Sequence, residues 1–471
     1  MDLSKERLPF ADVFSCKNKK RVNIYSNEWH YILVNYSCCA HYSRLKMYLT
    51  LEPEGFSRYL GGLIMKIALI GDCFIKLTSI LMVVTLSLLS AGVGSAEIIY
   101  VEPGNSIQAA LNNSTTGDFI VVKTGDYQEN VTVNVSGVTV TSDPESSGSV
   151  LVRSPDGNPI VFHIKADNVT IKGFNITGSG KAGSATWGGV GCPPAGICLE
   201  HANNCTIEGN NLSENLYGIY LQESLNNMLS QNNLSNNGIW LDEGCSHNRV
   251  FSNVIEKGTI ILGAQCWNNT ILQNRLSNGG GISIACCGDN TLVSENVIIN
   301  CSTGIDIYDV QARTVLRDNR ITNCSYGISL DFVFYSGIYN NTISNTSTGI
   351  YMREECHNNE LSGNTITSSD QAGIYLLDNA ADNRIYNNYF NNTVNVRTEN
   401  SKGNSWNTTK TQRTNIVKSS CLGGNFWANP RGTGFSQTAN DSNSDGISDQ
   451  PYKVNGSSFD YLPLVMLSSK P

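Results

Sequence analysis

A repeat of about 22 residues is the feature of this sequence that most restricts its fold. The tetrapeptide GIYL occurs at Gly218 and again at Gly373, and related glycine-led triplets of apolar, variable and apolar residues recur around and between them. The nine glycines are Gly196, Gly218, Gly238, Gly258, Gly281, Gly304, Gly327, Gly349 and Gly373, at steps of 20 to 24 residues. This period predicts a solenoid, in which each repeat buries its apolar face on the next.

A column of asparagines keeps the same period. Each stands two residues before Leu, Ile, Val or Phe, at Asn210, Asn232, Asn253, Asn274, Asn296, Asn319, Asn341, Asn364 and Asn388. Every repeat therefore holds two or three short strands with polar corners and no crossover helix. We predict an all-β fold, a single-stranded right-handed parallel β-helix of about ten or more coils, with the asparagines stacked for a structural purpose.

Changes in composition divide the chain into five segments. Residues 1–64 show no repeat and are interpreted as an upstream extension with a mis-assigned start, and residues 65–96 are predicted to be a secretory signal peptide, the alternative being an uncleaved anchor. Residues 97–150 are predicted to form an N-terminal cap and the first strands, because Ser106 begins a short amphipathic helix pattern. Residues 151–400 hold the repeats, and residues 401–471 form a C-terminal cap.

The charge and the apolar run at residues 77–91 limit the partners. The net charge is −8 with only 15% charged residues, and no stripe of Lys and Arg follows the repeats. Nucleic acid is therefore not expected as a partner. The predicted signal places the repeats outside the cytoplasm, secreted or at the cell surface, with no membrane span in the mature chain once the signal is cleaved.

Three stretches together resemble a known family. They are GDFIVVKTGDYQENVTV from Gly117, the nine coils, and the tail that contains GNFW, DSNSDGISDQPY and DYLPL. They resemble the NosD-like right-handed parallel β-helix proteins of the carbohydrate-binding and sugar-hydrolase repeat group, which includes surface proteins of methanogenic archaea. The resemblance covers nearly all of residues 98–465. It implies the fold, and it implies polysaccharide binding, polysaccharide lyase, epimerase or hydrolase activity, or copper handling as alternative functions.

Outward columns of the strands that follow the repeat glycines suggest a polysaccharide track. Side chains alternate along a strand, so the variable positions of each triplet face away from the core. The aromatic and acidic residues at these positions are Tyr220, Trp240, Asp242, Tyr308, Tyr351 and Tyr375. Aromatic faces and carboxylates are suited to sugar rings and hydroxyls, and we expect an extended glycan to bind this ridge. Aromatic columns also stabilise parallel strands without any ligand.

An enzymatic alternative centres on Asp306, Asp331 and Arg353, which lie on consecutive coils. Carboxylates and a basic residue are the groups with which β-helix lyases act on uronates, so this set would serve a polysaccharide lyase. Asp331 and Arg353 are equally interpretable as a surface ion pair. Asp242 and Glu243 are a second candidate pair for a glycoside hydrolase, although neighbours on a strand point in opposite directions.

Two sets of residues are candidate metal ligands. The first reproduces the oxygen positions of a calcium loop, with Asp441, Asn443, Asp445, Ile447 through its carbonyl, and Asp449. Tyr452 stands where such a loop has a bidentate Glu, so weak binding is expected, and an ordinary turn is the alternative. The second set would suit copper and comprises Cys245, His247, Cys266 and Cys287. Buried cysteines also pack as small apolar residues, and Cys192 and Cys198 are disulfide candidates whose pairing stays open.

Overall fold

Three parallel β-sheets run along the chain, each receiving one strand from every coil. The computed structural model describes residues 95–155, 160–180, 191–286, 288–310 and 313–466. The sheets contain 13, 12 and 13 strands, and each strand pairs with its counterpart one coil away. The predicted parallel β-helix of ten or more coils is confirmed. The predicted extension, and the predicted signal peptide up to residue 94, lie outside the described residues.

The first and third sheets meet at the corner that carries the asparagine column. The first sheet contains Ile98–Val101, Phe119–Val122, Thr139–Ser142, Thr170–Lys172, Thr206–Glu208, Met228–Ser230, Arg249–Phe251, Thr270–Leu272, Leu292–Ser294, Val315–Arg317, Gly337–Tyr339, Glu360–Ser362 and Arg384–Tyr386. The third sheet contains Gly125–Gln128, Val150–Arg153, Asn175–Thr177, Asn211–Ser213, Asn233–Ser235, Val254–Glu256, Arg275–Ser277, Val297–Ile299, Arg320–Thr322, Thr342–Ser344, Thr365–Thr367, Tyr389–Asn391 and Phe426–Ala428.

The second sheet contains the strands that hold or directly follow the repeat glycines. Its strands are Val131–Val133, Ile160–Ile164, Ala195–Glu200, Tyr217–Gln222, Ile239–Asp242, Thr259–Leu262, Gly281–Ile284, Thr303–Val310, Tyr326–Val333, Thr348–Arg353, Ala372–Leu377 and Val396–Glu399. Parallel register sets equivalent residues side by side, for example Ile219 with Ile239 and Leu221 with Leu241. These inward residues are fully buried, so the interior is a stack of aliphatic columns.

The asparagine column forms a hydrogen-bonded ladder inside the corner between the first and third sheets. From Asn210 to Asn388, each side-chain amide donates to the side-chain oxygen of the next coil at 2.9–3.1 Å, and the backbone N–H donates to the same oxygen. The ladder ends at Asn425, one longer coil beyond the predicted column. The residue before each asparagine has positive φ, as at Gln231 and Ser252. The structural role predicted for this column is confirmed.

Both ends of the core are covered. At the N-terminal end, the helix Ile107–Asn113 is capped by Ser106, whose hydroxyl accepts from the Ala109 N–H, and its buried residues Ile107 and Leu111 pack on the first coil. At the other end, Trp427 stacks on Phe390 with ring centroids 4.9 Å apart. Covering the ends is required because an open coil exposes unpaired strand edges and core side chains.

The C-terminal segment contains the remaining elements. They are the helix Phe435–Thr438 and two antiparallel pairs, Thr411–Gln412 with Cys421–Leu422 and Tyr452–Asn455 with Ser458–Asp460. The Asp460 carboxylate lies beneath this cap and accepts from the Trp427 indole N–H at 2.9 Å and the Asn425 backbone N–H at 2.7 Å. Burial outweighs these donors and raises the pKa of Asp460 to about 7.

Candidate functional site: the outward face of the second sheet

The predicted outward columns are present on the second sheet, but their N-terminal part is covered. Tyr220 is only 1% exposed and packs in an apolar cluster with Cys198 and the ring of Tyr217. Its hydroxyl donates to Asp242 at 3.0 Å, and burial raises the pKa of Tyr220. Tyr220 is therefore not available as a stacking surface in this structure, and Asp242 is engaged by it. Trp240 is half-buried and packs edge-on against Tyr217, with centroids 5.1 Å apart.

The C-terminal part of the ridge carries a stack of tyrosines. The tyrosine ladder consists of Tyr326, Tyr351 and Tyr375, with successive ring centroids 5.2 and 5.4 Å apart. The Arg397 guanidinium lies over the last ring at 4.7 Å from its centroid. The Tyr326 and Tyr351 rings stack, the Tyr351 and Tyr375 rings are tilted by 49°, and the Arg397 guanidinium lies over Tyr375, so the faces of these rings are partly occupied by their neighbours. Tyr326 was not predicted, although it precedes a repeat glycine as Tyr217 does.

Tyr308 provides a more open aromatic face than the ladder does. It is 47% exposed, and no other aromatic ring among the described residues contacts it. Its register partner on the next coil is Asp331, which in turn pairs with Arg353. An aromatic ring, a carboxylate and a guanidinium therefore occupy one outward column on three consecutive coils, about 5 Å apart.

Asp331 and Arg353 form an ion pair within this column. Arg353 Nη2 lies 2.5 Å from Asp331 Oδ2, and the Asp331 side chain is 14% exposed. The other oxygen, Oδ1, is buried and accepts no hydrogen bond in the described part of the chain. Burial alone would lower the pKa of Arg353, but the adjacent Asp331 carboxylate raises it above its ordinary value. Arg353 is therefore a fixed cation and hydrogen-bond donor, not a proton acceptor.

The three residues predicted for catalysis do not share one column. Asp306 lies on the coil of Tyr308 but in the neighbouring column, where its register partner is Ser329. Only Asp331 and Arg353 are brought into contact. Of the second candidate pair, Asp242 accepts from Tyr220 at 3.0 Å and Glu243 accepts from Gln222 at 2.5 Å. The Asp242 and Glu243 carboxylates therefore bond to side chains of the preceding coil. Catalytic roles for both candidate sets stay predictions.

The predicted calcium loop is closed by its own backbone. Asp441 accepts from the N–H groups of Asp445 at 3.2 Å and Gly446 at 2.7 Å. Asn443 also accepts from the Asp445 N–H, and the Lys410 ammonium pairs with the Asp445 carboxylate. Burial would raise the pKa of Asp445, but the Lys410 contact lowers it below its ordinary value. The loop carries carboxylate and amide oxygens of the type that calcium takes, with a lysine supplying the positive charge here, and calcium binding stays a prediction.

The predicted copper ligands are divided between the core and the surface. The thiols of Cys245 and Cys266 are fully buried, where Cys245 accepts from the Ser224 N–H at 3.3 Å and Cys266 donates to the Leu241 carbonyl at 3.4 Å. His247 is exposed, with φ of +61°, and Cys287 lies outside the described residues. The expectation that His247 shares a site with these thiols does not fit this geometry, because His247 is exposed whereas both thiols are fully buried in the core.

One other group of metal-ligand types is present on the second sheet. The described ranges contain one group of at least three His, Cys, Asp or Glu residues whose ligand atoms all lie within 4.8 Å of one another. It consists of His163, Cys192 and Cys198. Cys192 and Cys198 form a disulfide, so their sulfurs are not thiolate ligands. His163 instead bonds Glu200 at 2.8 Å, and Lys165 pairs with the same carboxylate.

The stacked sheets and caps define this chain as a right-handed parallel β-helix protein. The family model "Right handed beta helix region" matches residues 118–284 and 159–331, and the model "Periplasmic copper-binding protein (NosD)" matches residues 256–432. The predicted resemblance to NosD-like right-handed β-helix proteins is therefore confirmed. The NosD match begins after Cys245 and His247. No helix among the described residues is long and apolar enough to cross a membrane.

Individual proteins are similar over parts of the chain. A cell surface glycoprotein of Methanothermus fervidus is 30% identical over 142 residues, which are 29% of this chain and 21% of that protein's length. A structure of the periplasmic alginate epimerase AlgG matches with a TM-score of 0.45 and 15% identity over 64% of this chain and 84% of that one. The catalytic domain of an α-1,3-glucanase with nigerose matches with a TM-score of 0.48 and 14% identity over 67% and 66%.

Proposed function

We propose that this protein is a secreted or cell-surface β-helix protein that binds polysaccharide along the outward face of the second sheet. The observation that carries the proposal is the open ring of Tyr308 in register with the Asp331–Arg353 ion pair. The similarity to a cell surface glycoprotein supports the location, together with the predicted signal peptide.

The column combines the groups that a sugar requires. The exposed ring of Tyr308 accepts the C–H face of a pyranose, since aromatic side chains contribute large apolar area at low entropic cost. Two coils further, the half-exposed Arg353 guanidinium, held in place by its ion pair with Asp331, supplies several donors for hydroxyl groups. The hydroxyls of Tyr351 and Tyr375 continue the polar track. A solenoid repeats such contacts along its axis, so an extended chain fits better than a single sugar.

The test is retention of the full chain on immobilised neutral and uronate-rich polysaccharides, with and without calcium, while released sugar is assayed in the same samples. We expect retention on at least one polysaccharide and no release of fragments. Release of shortened or unsaturated fragments would overturn the binding role and favour a lyase or hydrolase, with Asp306, Asp331 and Arg353 as the first residues to replace. A changed stereochemistry of the sugar units would likewise overturn the binding role and would indicate an epimerase.

A matched pair of variants locates the contact. Tyr308→Ala removes the open ring, and we expect about a 5- to 10-fold loss of affinity, which corresponds to about 1 to 1.4 kcal/mol for one aromatic contact. Tyr461→Ala is the control, because Tyr461 is 65% exposed but lies in the C-terminal cap. Equal binding by the Tyr308 variant and the control would remove the second sheet from consideration as the binding face.

A further inference from the structure

A cleft lies on the first sheet, away from the column that carries Tyr308. It has a volume of about 610 Å³ and is bounded by the last three strands of the first sheet on one side and by residues 413–418 on the other. We call it the cap cleft. A volume of this size is in the range that binds a small ligand or one or two sugar units.

Two tyrosines form the walls of the cap cleft on its sheet side. Tyr339 and Tyr386 are both in register with Ser362 of the strand between them, so their backbone positions are two coils, or about 10 Å, apart. The ring of Tyr339 lies flat along its strand, because Gly337 has no side chain to collide with it. The sheet side of the cleft therefore presents two tyrosine side chains with the Glu360 carboxylate on the strand between them.

The carboxylate on the sheet side is already neutralised. Glu360 pairs with Arg384, whose Nη2 lies 2.5 Å from Glu360 Oε2, and it accepts from the Tyr386 hydroxyl at 2.7 Å. These contacts also fix the Tyr386 ring. Glu360 therefore contributes no unbalanced negative charge to the cleft.

The opposite side of the cap cleft carries unbalanced positive charge. Arg413 and Lys418 line it, and neither side chain forms an ion pair within the described part of the chain. Two unpaired cations on one cleft are notable in a chain of net charge −8. Coulomb attraction to these two exposed cations favours an anionic ligand there, most strongly at low salt.

The segment that presents these cations is held rigidly. The Ile416 N–H donates to the Asn387 side chain at 2.8 Å, which ties the segment to the first sheet. Asn415 accepts from the N–H groups of Val417 and Ser419 at 3.0 Å, and its amide donates to the Cys421 carbonyl at 2.9 Å. A fixed backbone lowers the entropic cost of binding, as expected for a preorganised site.

We propose that the cap cleft binds an acidic sugar unit, with the sugar carboxylate at Arg413 and Lys418 and the ring against the tyrosine side of the cleft formed by Tyr339 and Tyr386. The two cations select for negative charge, and the aromatic walls select a ring over a small inorganic anion. This site is separate from the Tyr308 column and does not depend on it. It adds a preference for acidic glycans that the Tyr308 column does not require.

The experiment measures binding of galacturonic acid trisaccharide and its methyl ester to the full chain by titration calorimetry at low salt. The two ligands share their rings and differ in charge, so we expect the acid to bind about tenfold more tightly than the ester. Equal affinity for the two ligands would overturn the proposal. So would inorganic sulfate that competes as strongly as the trisaccharide, because a simple anion site would then suffice.

Variants distinguish binding in the cap cleft from a general effect of positive charge and from binding at the Tyr308 column. Arg413→Ala with Lys418→Ala should abolish the preference for the acid, whereas Lys402→Ala with Arg431→Ala should retain it. Both double variants remove two exposed cations, and only the first pair lines the cleft. Equal loss in both would refute a specific site. Tyr308→Ala should leave the preference unchanged, so failure of the Tyr308 column and failure of the cleft give different results.

Discussion

Replacing one buried asparagine of the ladder tests whether side-chain hydrogen bonds hold the coils together. In Asn232→Ala, the side chain that is removed accepts from the Asn210 backbone N–H at 3.0 Å and from the Asn210 amide at 3.1 Å. It also donates to the Ile207 carbonyl at 2.9 Å and to the Asn253 side-chain oxygen at 3.0 Å. Four hydrogen bonds at a residue that is 1% exposed are lost together.

The cost follows from the groups left behind. The Asn210 N–H has no other acceptor in the described structure and is itself buried, so it carries a desolvation penalty of about 1 to 3 kcal/mol. The Asn210 amide keeps its bond to the Ile171 carbonyl and suffers less. Adding the small cavity left by the amide, we expect the free energy of unfolding to fall by about 2 to 4 kcal/mol.

The neighbouring residue provides the control. Asn233 is exposed, is also an asparagine, and donates only to the exposed Asn211 side chain at 3.1 Å. Asn233→Ala should therefore change the stability by less than about 0.5 kcal/mol. Denaturant midpoints of the two variants give the difference in stability. Hydrogen exchange at the Asn210 backbone N–H reports directly on the donor that has lost its acceptor. Midpoints that agree within error would refute the ladder as a source of stability.

Three further outcomes are expected. Burial raises the pKa of Asp460 from its ordinary value of 3.8 to about 7 in the folded state, so the folded state holds a proton that the unfolded state releases between these values. The free energy of unfolding should therefore fall as pH rises from about 4 to 7, by at most about 4 kcal/mol. Asp460→Asn should flatten this dependence in urea midpoints measured across that range. Lys410→Ala should strengthen calcium binding, because it removes the ammonium that competes for Asp445. In thermal melts, free calcium at about ten times its Kd should stabilise this variant by about 1.4 kcal/mol, and no effect of calcium would argue for a plain turn. Anaerobic Cu(I) titration should give the same stoichiometry for Cys266→Ser as for the natural chain, because the neighbouring Cys245 thiol and burial both raise the pKa of the Cys266 thiol. A lost equivalent would support copper handling.

The interior was predictable from the sequence because every coil repeats it. The glycine-led triplets locate the second sheet, and the asparagine before each strand locates the corner between the first and third sheets. A second ladder was missed although it follows the same rule. Asn227, Asn248 and Asn269 each precede an apolar residue by two positions, and each oxygen accepts from the backbone N–H one coil earlier. The longer last coil that reaches Asn425 broke the period and hid the end of the first ladder.

The exterior was less predictable because neighbouring coils do not repeat it. Alternation correctly assigned Tyr220 to an outward column, yet outward is not the same as exposed. Cys192, which lies outside the sheet, packs on that column together with Ile160 at the start of an earlier strand, and no periodicity places Cys192 there. The Cys192–Cys198 disulfide holds part of this covering in position. The cap cleft was missed for a related reason, since Arg413 and Lys418 come from an irregular segment with no repeat at all.

These differences locate specificity in the parts of the chain that do not repeat. Inward columns must match from coil to coil, because each aliphatic residue packs on its equivalents above and below. Outward residues meet no such requirement, so Tyr308 and Arg353 are free to differ from their equivalents Ala285 and Leu377 at little cost to the core. It follows that replacing Tyr308 or Arg413 should change binding while leaving the denaturant midpoint near that of the natural chain. Asn232→Ala should do the opposite, and a variant that changed both properties would show that a proposed site is also part of the scaffold.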